Sequence, residues 1–152
     1  PMQSKSAANY SNAALARVEA LKNGYDEAIM LNNKGNVAEG SAENIFVVKN
    51  GIIKTPPLDA DILNGITRDS VIQLIKKEHM KLVEKNITVN ELLKADEVFM
   101  TGTAAEVKSV TKIDKNSIGN GGVGEITKEL QKSFMNIVMG KDKRFVRWLT
   151  CL

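Results

Sequence analysis

Apolar residues recur at helical spacing in three stretches of the chain. The stretch 9–23 is followed by Gly24, a residue that commonly ends a helix. The stretch 67–77 follows Gly65, and the stretch 126–139 follows a glycine-rich run. The residues at this spacing are Ala13, Ala14, Val18 and Leu21; Val71, Ile72, Leu74 and Ile75; and Leu130, Phe134 and Val138. The pattern predicts three helices, and the faces of the second and third are predicted to be buried.

Between the helices, short apolar runs alternate with tight turns, which is typical of strands joined as hairpins. Asn50-Gly51 is the strongest turn signal, because both residues tolerate a positive φ. Pro56-Pro57 ends the strand that follows, and Thr88 with Glu91 predicts a capping box for a short helix ending at Ala95. The predicted strands are 27–31, 37–38, 44–49, 52–55, 81–87 and 97–100, with an extended segment over 105–114.

The order of these elements indicates a mixed α+β fold. We expect a curled, largely antiparallel sheet, a pseudo-barrel, with three or four helices packed outside it. A doubly wound parallel sheet is disfavoured, because helices and strands do not alternate regularly.

Length and composition place the chain among folded globular proteins. Its 152 residues suit one domain with a true core. Hydrophobic residues make up 43% and charged residues 26%, which argues against disorder. No apolar run approaches the length of a membrane span and no secretory segment opens the sequence, so we expect a cytoplasmic protein.

Charge and metal-ligating residues exclude several classes of function. The net charge of +3 comes from lysines scattered among acids, and the aromatic content of 5% leaves no stacking platform for single-stranded nucleic acid. Cys151 is the only cysteine and His79 the only histidine. We therefore expect no disulfide framework and no metal site.

Two carboxylates stand out in a stretch that otherwise reads as strand. Glu39 and Glu43 flank Gly-Ser-Ala, four positions apart. Alternation would place both on one face of a strand, and a curled sheet would point that face inward. Buried carboxylates require cationic or donor partners, because an unpaired charge in a low dielectric costs several kcal/mol. The pair is therefore a candidate site.

Two further segments suit anions. The run 101–105, Thr-Gly-Thr-Ala-Ala, follows a predicted strand with small residues that allow backbone amides to approach a ligand. The amides at the start of the helix that contains Thr67 form a second anion site. A phosphate and a carboxylate are natural occupants of two such sites.

Five motifs in order resemble those of the fold-type IV pyridoxal-phosphate enzymes, and especially the branched-chain amino acid aminotransferases. They are KSAANY at 5–10, EGSAENIF at 39–46, TPPL at 55–58, GITR at 65–68 and ADEVFMTGTAAE at 95–106. The resemblance covers essentially the whole chain. It implies pyridoxal 5'-phosphate as cofactor and transamination of leucine, isoleucine or valine with 2-oxoglutarate.

The resemblance also implies residue roles around the cofactor ring. Lys5 is expected to hold the cofactor as an imine and to move the proton at the substrate Cα atom. Glu39 is expected at the pyridine nitrogen, Tyr10 at the phenolic oxygen and Leu63 against one face of the ring. Glu43 is expected to be a supporting acid behind them.

For the anionic groups, the resemblance implies two sets of donors. Gly65, Ile66 and Thr67 are expected to bind the phosphate through backbone amides and the Thr67 hydroxyl, with Thr103 also touching it. The amides of Thr103 and Ala104 are expected to bind the substrate α-carboxylate.

The resemblance implies a domain organisation as well. Residues 1–8 are expected to form an interdomain connector bearing the cofactor lysine, and residues 9–152 the C-terminal cofactor-binding domain. The small N-terminal domain of the family is absent from this sequence, so we expect the isolated chain to bind cofactor weakly or not at all. Members of the family form homodimers or higher homo-oligomers, and the same is expected here.

Two alternatives remain open. A D-amino acid aminotransferase or an aminodeoxychorismate lyase shares the fold, although such relatives usually lack the Glu43-Asn44 pair. A non-catalytic oligomerisation domain could also inherit the fold.

Overall fold

The computed structural model describes residues 5–150, which form four α-helices, ten strands and two short 3-10 helices. The helices are α1 (Ser11–Lys22), α2 (Ile66–Lys77), α3 (Val89–Leu93) and α4 (Glu125–Val138), with 3-10 turns at Ala7–Tyr10 and Lys143–Trp148. The strands are β1 (Ile29–Leu31), β2 (Asn36–Gly40), β3 (Asn44–Lys49), β4 (Ile52–Thr55), β5 (Lys81–Glu84), β6 (Ile87–Thr88), β7 (Glu97–Gly102), β8 (Glu106–Val110), β9 (Lys112–Ile113) and β10 (Asn116–Ser117).

The strands make three open sheets. The largest has the order β5-β4-β3-β7-β8, a second has the order β1-β2-β6, and β9 pairs with β10. All pairings are antiparallel except that between β4 and β5. The mixed α+β class and the largely antiparallel pairing are confirmed, whereas the described strands do not close into a barrel.

Two hydrophobic clusters sandwich the five-stranded sheet. One lies between this sheet and the helices α2 and α4, and it includes the stacked rings of Phe46 and Phe99, whose centroids are 4.9 Å apart. The other lies on the opposite face, where Val37 of β2 and Ile87 of β6 join Ile45 and Met100. Strand alternation explains the division, because successive residues of β3 and β7 point to opposite faces.

Local signals set several boundaries. Asn50 and Gly51 both have positive φ, 51° and 72°, and join β3 to β4 at the predicted positions. Thr88 and Glu91 form the predicted capping box, and their helix ends at Leu93.

Two expectations are wrong in detail. Residues 81–87 form two strands, because the chain leaves β4 after Glu84 and Ile87 then pairs with β2. Val138 is exposed, and Ile137 takes its place in the core. Each helical residue is rotated by about 100° from the one before it, so residue 137 points in nearly the same direction as Leu130, and residue 138 does not.

Helix α1 differs from the other three because none of its residues is buried. Leu15, Val18 and Leu21 are 71%, 47% and 55% exposed. A helix of this length is marginal in water unless its apolar face is packed.

Within residues 5–150, no helix is long and apolar enough to cross a membrane.

Candidate functional site

The carboxylate of Glu39 is fixed by a loop that follows β4. Glu39 Oε2 accepts hydrogen bonds from the Leu63 amide at 3.0 Å and from Asn44 Nδ2 at 2.9 Å. Asn44 Nδ2 also donates to the Leu63 carbonyl at 2.8 Å. The hydrogen bonds of the Glu39 side chain within the described chain all involve Oε2, which leaves Oε1 open. We call Glu39, Asn44 and Leu63 the acid clamp.

Burial controls the charge of this acid. It raises the pKa of Glu39 to about 7, whereas the hydrogen bond from Leu63 and the positive charge of Arg68 act in the opposite direction. The negative charge of Glu43 raises the pKa further. Glu39 is therefore poised near neutral pH, and a cationic donor at Oε1 would favour its ionised form.

Gly65 connects the acid clamp to the start of α2. A Cβ atom at this position would overlap Asn44 Oδ1, so only glycine fits without moving the clamp. No side chain caps the helix here. The amides of Ile66, Thr67 and Arg68 lack acceptors within the helix, because the first helical bond runs from Asp69 to the Gly65 carbonyl. An uncapped helix start of this kind binds anions.

A buried hydroxyl without a partner lies beside the clamp. Thr101 of β7 pairs with Asn44 of β3, and strand alternation puts it on the sheet face that also carries Phe99. Its side chain is 1% exposed, and Thr101 Oγ1 forms no hydrogen bond with the described residues. Unsatisfied buried hydroxyls are uncommon in proteins, so this part of the site has spare donor capacity.

The turn after β7 provides a second set of amides. Thr103 and Ala104 lie in the hairpin turn between β7 and β8, and both are exposed. In the described chain their amides have no acceptor. Glu43 packs behind this turn, where its Cγ atom lies 3.2 Å from the position that a Cβ of Gly102 would occupy.

Glu43 shares its surroundings with a second acid, Glu27. Burial, followed by the negative charge of Glu27, raises the pKa of Glu43. Burial works against ionisation of Glu27 too, but hydrogen bonds from Ser41 and Ala28 and the charge of Arg17 hold the pKa of Glu27 below its ordinary value. Of the two acids, Glu43 therefore retains its proton to higher pH.

A cavity of about 720 Å³ opens beside these acids. Its wall includes Glu27, Glu43 and Ala104, together with apolar side chains from α4 such as Phe134. Glu39 and Thr67 do not line it. The cavity therefore borders the turn after β7 and not the acid clamp.

The N-terminal site residues lie apart from this network. Lys5 is exposed in irregular chain, and Tyr10 is half-buried at the end of the first 3-10 helix. The hydrogen bonds of the acid clamp, within residues 5–150, do not include either residue.

The structure brings together only part of the predicted set. Glu39 accepts a hydrogen bond from the Leu63 amide, the Leu63 carbonyl accepts one from Gly65, and Ile66 and Thr67 follow in α2. Burial of both acids was expected, but the reason from strand alternation is wrong. Residues 41–43 form a bend between β2 and β3, which belong to different sheets.

Sequence reasoning missed the residues that hold the acids. Asn44 was noted only as half of a pair with Glu43, although a buried amide beside an acid is a common way to satisfy it. Glu27 and Arg17 carry no local signal of their own, because each lies among ordinary surface residues in the sequence.

Comparisons with known proteins identify the family of the chain. The sequence model of the family described as Amino-transferase class IV matches residues 3–113. A probable branched-chain-amino-acid aminotransferase of Aquifex aeolicus is 56% identical over 151 residues, covering 99% of this chain and 49% of that protein. The branched-chain-amino-acid aminotransferase of Pseudomonas aeruginosa is 47% identical, covering 97% of this chain and 48% of that protein.

Solved structures give the same result. The branched-chain aminotransferase of Thermoproteus uzoniensis with norvaline superposes with a TM-score of 0.95 at 45% identity, covering 99% of this chain and 50% of that one. The branched-chain amino acid aminotransferase of Thermobaculum terrenum, in its PLP-form, superposes with a TM-score of 0.95 at 40% identity. The match covers 99% of this chain and 49% of that one. The chain spans about half the length of these relatives, and it belongs to the class IV aminotransferase family.

Proposed function

We propose that this chain is the cofactor-binding part of a pyridoxal-phosphate aminotransferase that transfers amino groups between branched-chain L-amino acids and 2-oxoglutarate. The observation that carries the proposal is the acid clamp, which holds Glu39 by one oxygen and leaves the other free of partners in the described chain, next to the uncapped start of α2. The names of the relatives support the substrate class.

The residues present fit pyridoxal 5'-phosphate. A ring nitrogen that carries a proton needs an acid with a free oxygen, and Glu39 Oε1 is free among residues 5–150. A phosphate needs converging donors, and the amides of Ile66 and Thr67 have no acceptor within the helix. When bound, this cofactor supplies a ring that withdraws electrons from the substrate Cα atom.

In this proposal, Glu39 and Leu63 act at the ring. Glu39 keeps a proton on the ring nitrogen, which is what makes the ring an acceptor of electrons. The clamp prevents the carboxylate from turning away, because both of its donors bind the same oxygen. The Leu63 side chain would contact one face of the ring, and the Tyr10 hydroxyl would donate to the phenolic oxygen.

Lys5 has two tasks. Its amine would hold the cofactor at the aldehyde carbon, and after its release the same amine would carry the proton of the substrate Cα atom. A lysine must be neutral for both steps, and cationic groups or desolvation in the assembled site would favour that form.

The two anion sites orient the ligands. Gly65, Ile66 and Thr67 bind the phosphate with help from Thr103. The amides of Thr103 and Ala104 bind the substrate carboxylate, and Glu43 supports this turn from below. Fixing both anions would orient the substrate Cα atom for proton removal.

The domain arrangement is part of the proposal. Residues 1–8 would connect this domain to a smaller one that completes the site, and the whole protein would be a homodimer or higher homo-oligomer in the cytoplasm. The share of the relatives that this chain covers, about half, supports the first point. The isolated chain would then bind cofactor weakly, since one wall of the site is missing.

The test uses the complete protein. Pyridoxal phosphate is added, borohydride makes its bond to the protein permanent, and the labelled peptide is mapped. We expect the label on Lys5 and no label in K5A. Label on another lysine would refute the assignment.

A substrate panel then separates the related activities. We expect turnover of L-leucine, L-isoleucine and L-valine with 2-oxoglutarate. Turnover of D-alanine without L-leucine would indicate a D-amino acid aminotransferase, and release of pyruvate from aminodeoxychorismate a lyase. A protein that oligomerises but binds no cofactor would support the non-catalytic alternative.

A further inference from the structure

Two glycines leave the space that the Glu43 side chain occupies. A Cβ at Gly40 would approach Glu43 Oε2 to 3.0 Å, and a Cβ at Gly102 would approach Glu43 Cγ to 3.2 Å. The side chain is therefore held tightly between the ends of β2 and β7. Gly102 is the last residue of β7, directly before Thr103 and Ala104. Glu43 thus lies against the base of the turn that carries the second set of free amides.

Glu27 reaches the same place from the segment between α1 and β1. Its Oε1 atom accepts a hydrogen bond from the Ser41 amide at 3.3 Å, and Glu43 Oε2 accepts one from the Ala42 amide at 3.2 Å. These amides are consecutive in one bend, and a hydrogen bond joins the two acidic side chains. Such a bond needs a proton, because two ionised carboxylates offer only acceptors. We call Glu27 and Glu43 the acid pair.

One proton balances the charges at the acid pair. Arg17 forms an ion pair with Glu27, so one ionised and one protonated carboxyl together with Arg17 carry no net charge. A second ionised carboxylate would add a negative charge behind the amides of Thr103 and Ala104, and it would weaken the binding of an anion there. The other charged groups nearby are Asp26, Glu106 and Lys108 in the cavity wall and Glu39 in the acid clamp. These groups add more negative than positive charge, so they too favour retention of the proton.

We propose that Glu27 and Glu43 share one proton and are positioning residues, which brace the turn of Thr103 and Ala104 without presenting an uncompensated negative charge to a bound carboxylate. The proposal rests on the proposed function, because it assumes that this turn binds the substrate carboxylate. Both acids act through the turn and do not touch the reacting atoms. The neutral arrangement is lost as pH rises, because the shared proton is then released.

The first test follows the shared proton in the complete protein without cofactor. Glutamate carboxyls are labelled with ¹³C, E43Q assigns the Glu43 resonance, and its chemical shift is recorded against pH. In E27Q we expect the proton affinity of Glu43 to fall about fivefold, because the neighbouring negative charge is gone. In the control E129Q, which removes an exposed acid of α4, the midpoint should not move. An unchanged midpoint in E27Q, or an equal shift in E129Q, would overturn the proposal.

R17Q keeps the test decisive if E27Q does not fold. The Arg17 side chain is 45% exposed, so its amide variant should fold, and it leaves the acid pair without its cation. We expect the proton affinity of Glu43 to rise about threefold. A midpoint that stays the same or falls would contradict the proposal.

The second test measures the consequence for anion binding. The probe is 4-methylpentanoate, which has the carboxylate and side chain of leucine but no amine, and it is titrated by calorimetry into the complete protein with cofactor at a series of pH values. In the wild type we expect its affinity to fall about fivefold as the acid pair loses the proton. E43Q imitates the protonated acid, so it should keep the higher affinity and lose this fall. Glu39 titrates in both proteins, so its effect cancels in the comparison.

Two results of the second test would overturn the proposal. One is weak binding of the probe to E43Q at every pH, and the other is a fall with pH as steep in E43Q as in the wild type. If the complete protein bound no cofactor, the proposed function would fail. The titration of Glu43 would still show whether the two acids share a proton, so the two failures can be told apart.

Discussion

The acid clamp and the N-terminal segment contribute to the same proposed site, yet they are held in very different ways. The clamp is locked by three hydrogen bonds, and Asn44 within it is 5% exposed. The segment from Lys5 through α1 has no buried residue, and Leu15 is 71% exposed. One part of the proposed site is held by buried contacts within this chain, whereas the other lies on a segment without buried residues.

The difference separates two ways of holding a residue of the proposed site. Glu39, whose proposed role requires a fixed position, is held by the core of its own domain. The proposed role of Lys5 requires it to bind, release and move a proton, and its segment makes few contacts within the described chain. The following changes test this contrast, beginning with the clamp.

Gly65→Ala should have the largest effect. The added Cβ would overlap Asn44 Oδ1, so the clamp must move. We expect a loss of about 2 to 4 kcal/mol in the free energy of unfolding, because overpacking and broken buried hydrogen bonds combine. Denaturant unfolding measures it. Gly122→Ala is the matched control, because its Cβ would meet only a flexible side chain at 3.3 Å. Equal stability of the two variants would contradict the prediction that a Cβ at position 65 displaces the acid clamp.

Asn44→Ala should be next. It leaves Glu39 Oε2 and the Leu63 carbonyl each without one donor. The expected loss is about 1 to 3 kcal/mol, the usual cost of unsatisfied buried polar groups. Asn116→Ala serves as the control, because its amide makes one long, exposed hydrogen bond. Equal losses of unfolding free energy in the two variants, measured by chemical denaturation, would show that the hydrogen bonds of Asn44 do not stabilise the fold more than an exposed one does.

The acid of the clamp should also produce a pH dependence. The pKa of Glu39 is raised from 4.5 to about 7 by burial, so the folded chain binds its proton more tightly than the unfolded chain. Its contribution to stability is therefore largest below about pH 4.5 and is lost as pH rises to 7.

Glu39→Gln removes this titration. We expect the stability of the wild type relative to E39Q to fall by about 1 to 2 kcal/mol between pH 4.5 and 7. Urea unfolding at a series of pH values measures the difference. A difference that rises with pH would show that Glu39 is stabilised as an anion in the folded chain.

The smallest effect is expected in the N-terminal segment. Leu15→Ala should change the stability of this chain by less than about 0.5 kcal/mol, because the side chain is exposed. Leu74→Ala is the contrast: Leu74 is fully buried, and the loss should be about 2 to 5 kcal/mol. Thermal unfolding of both variants decides the point. A loss above about 1 kcal/mol in L15A would mean that α1 packs on the rest of the chain.

The sequence predicted what local chemistry determines. The Asn50-Gly51 turn placed β3 and β4 at their observed bounds, and Thr88 with Glu91 predicted the capping box. Family motifs pointed to Glu39 and Gly65 as site residues, but they carried no indication that Asn44 binds both the acid and the loop.

The remaining features depend on contacts between distant segments. Ile87 leaves the line of β5 because β2 lies elsewhere in space, and no residue near position 87 signals this. The exposure of α1 was not predicted, although polar residues interrupt its apolar positions and its amphipathic character is weak. Helical spacing reports that a face is apolar, and not what covers it.

The pairing of β3 with β7 has a consequence for the order in which the molecule assembles. The hydrogen bonds of the acid clamp join residues that are 5, 19 and 24 positions apart in the sequence. The pairing of Asn44 with Thr101 joins residues that are much farther apart, because β7 follows α3. Closing the longer loop costs more entropy and is expected to come later. During folding, the acid clamp and the start of α2 can therefore form before β7 brings in the turn of Thr103 and Ala104. The sites proposed for the cofactor phosphate and for the substrate carboxylate would then both be present only when the central sheet is complete.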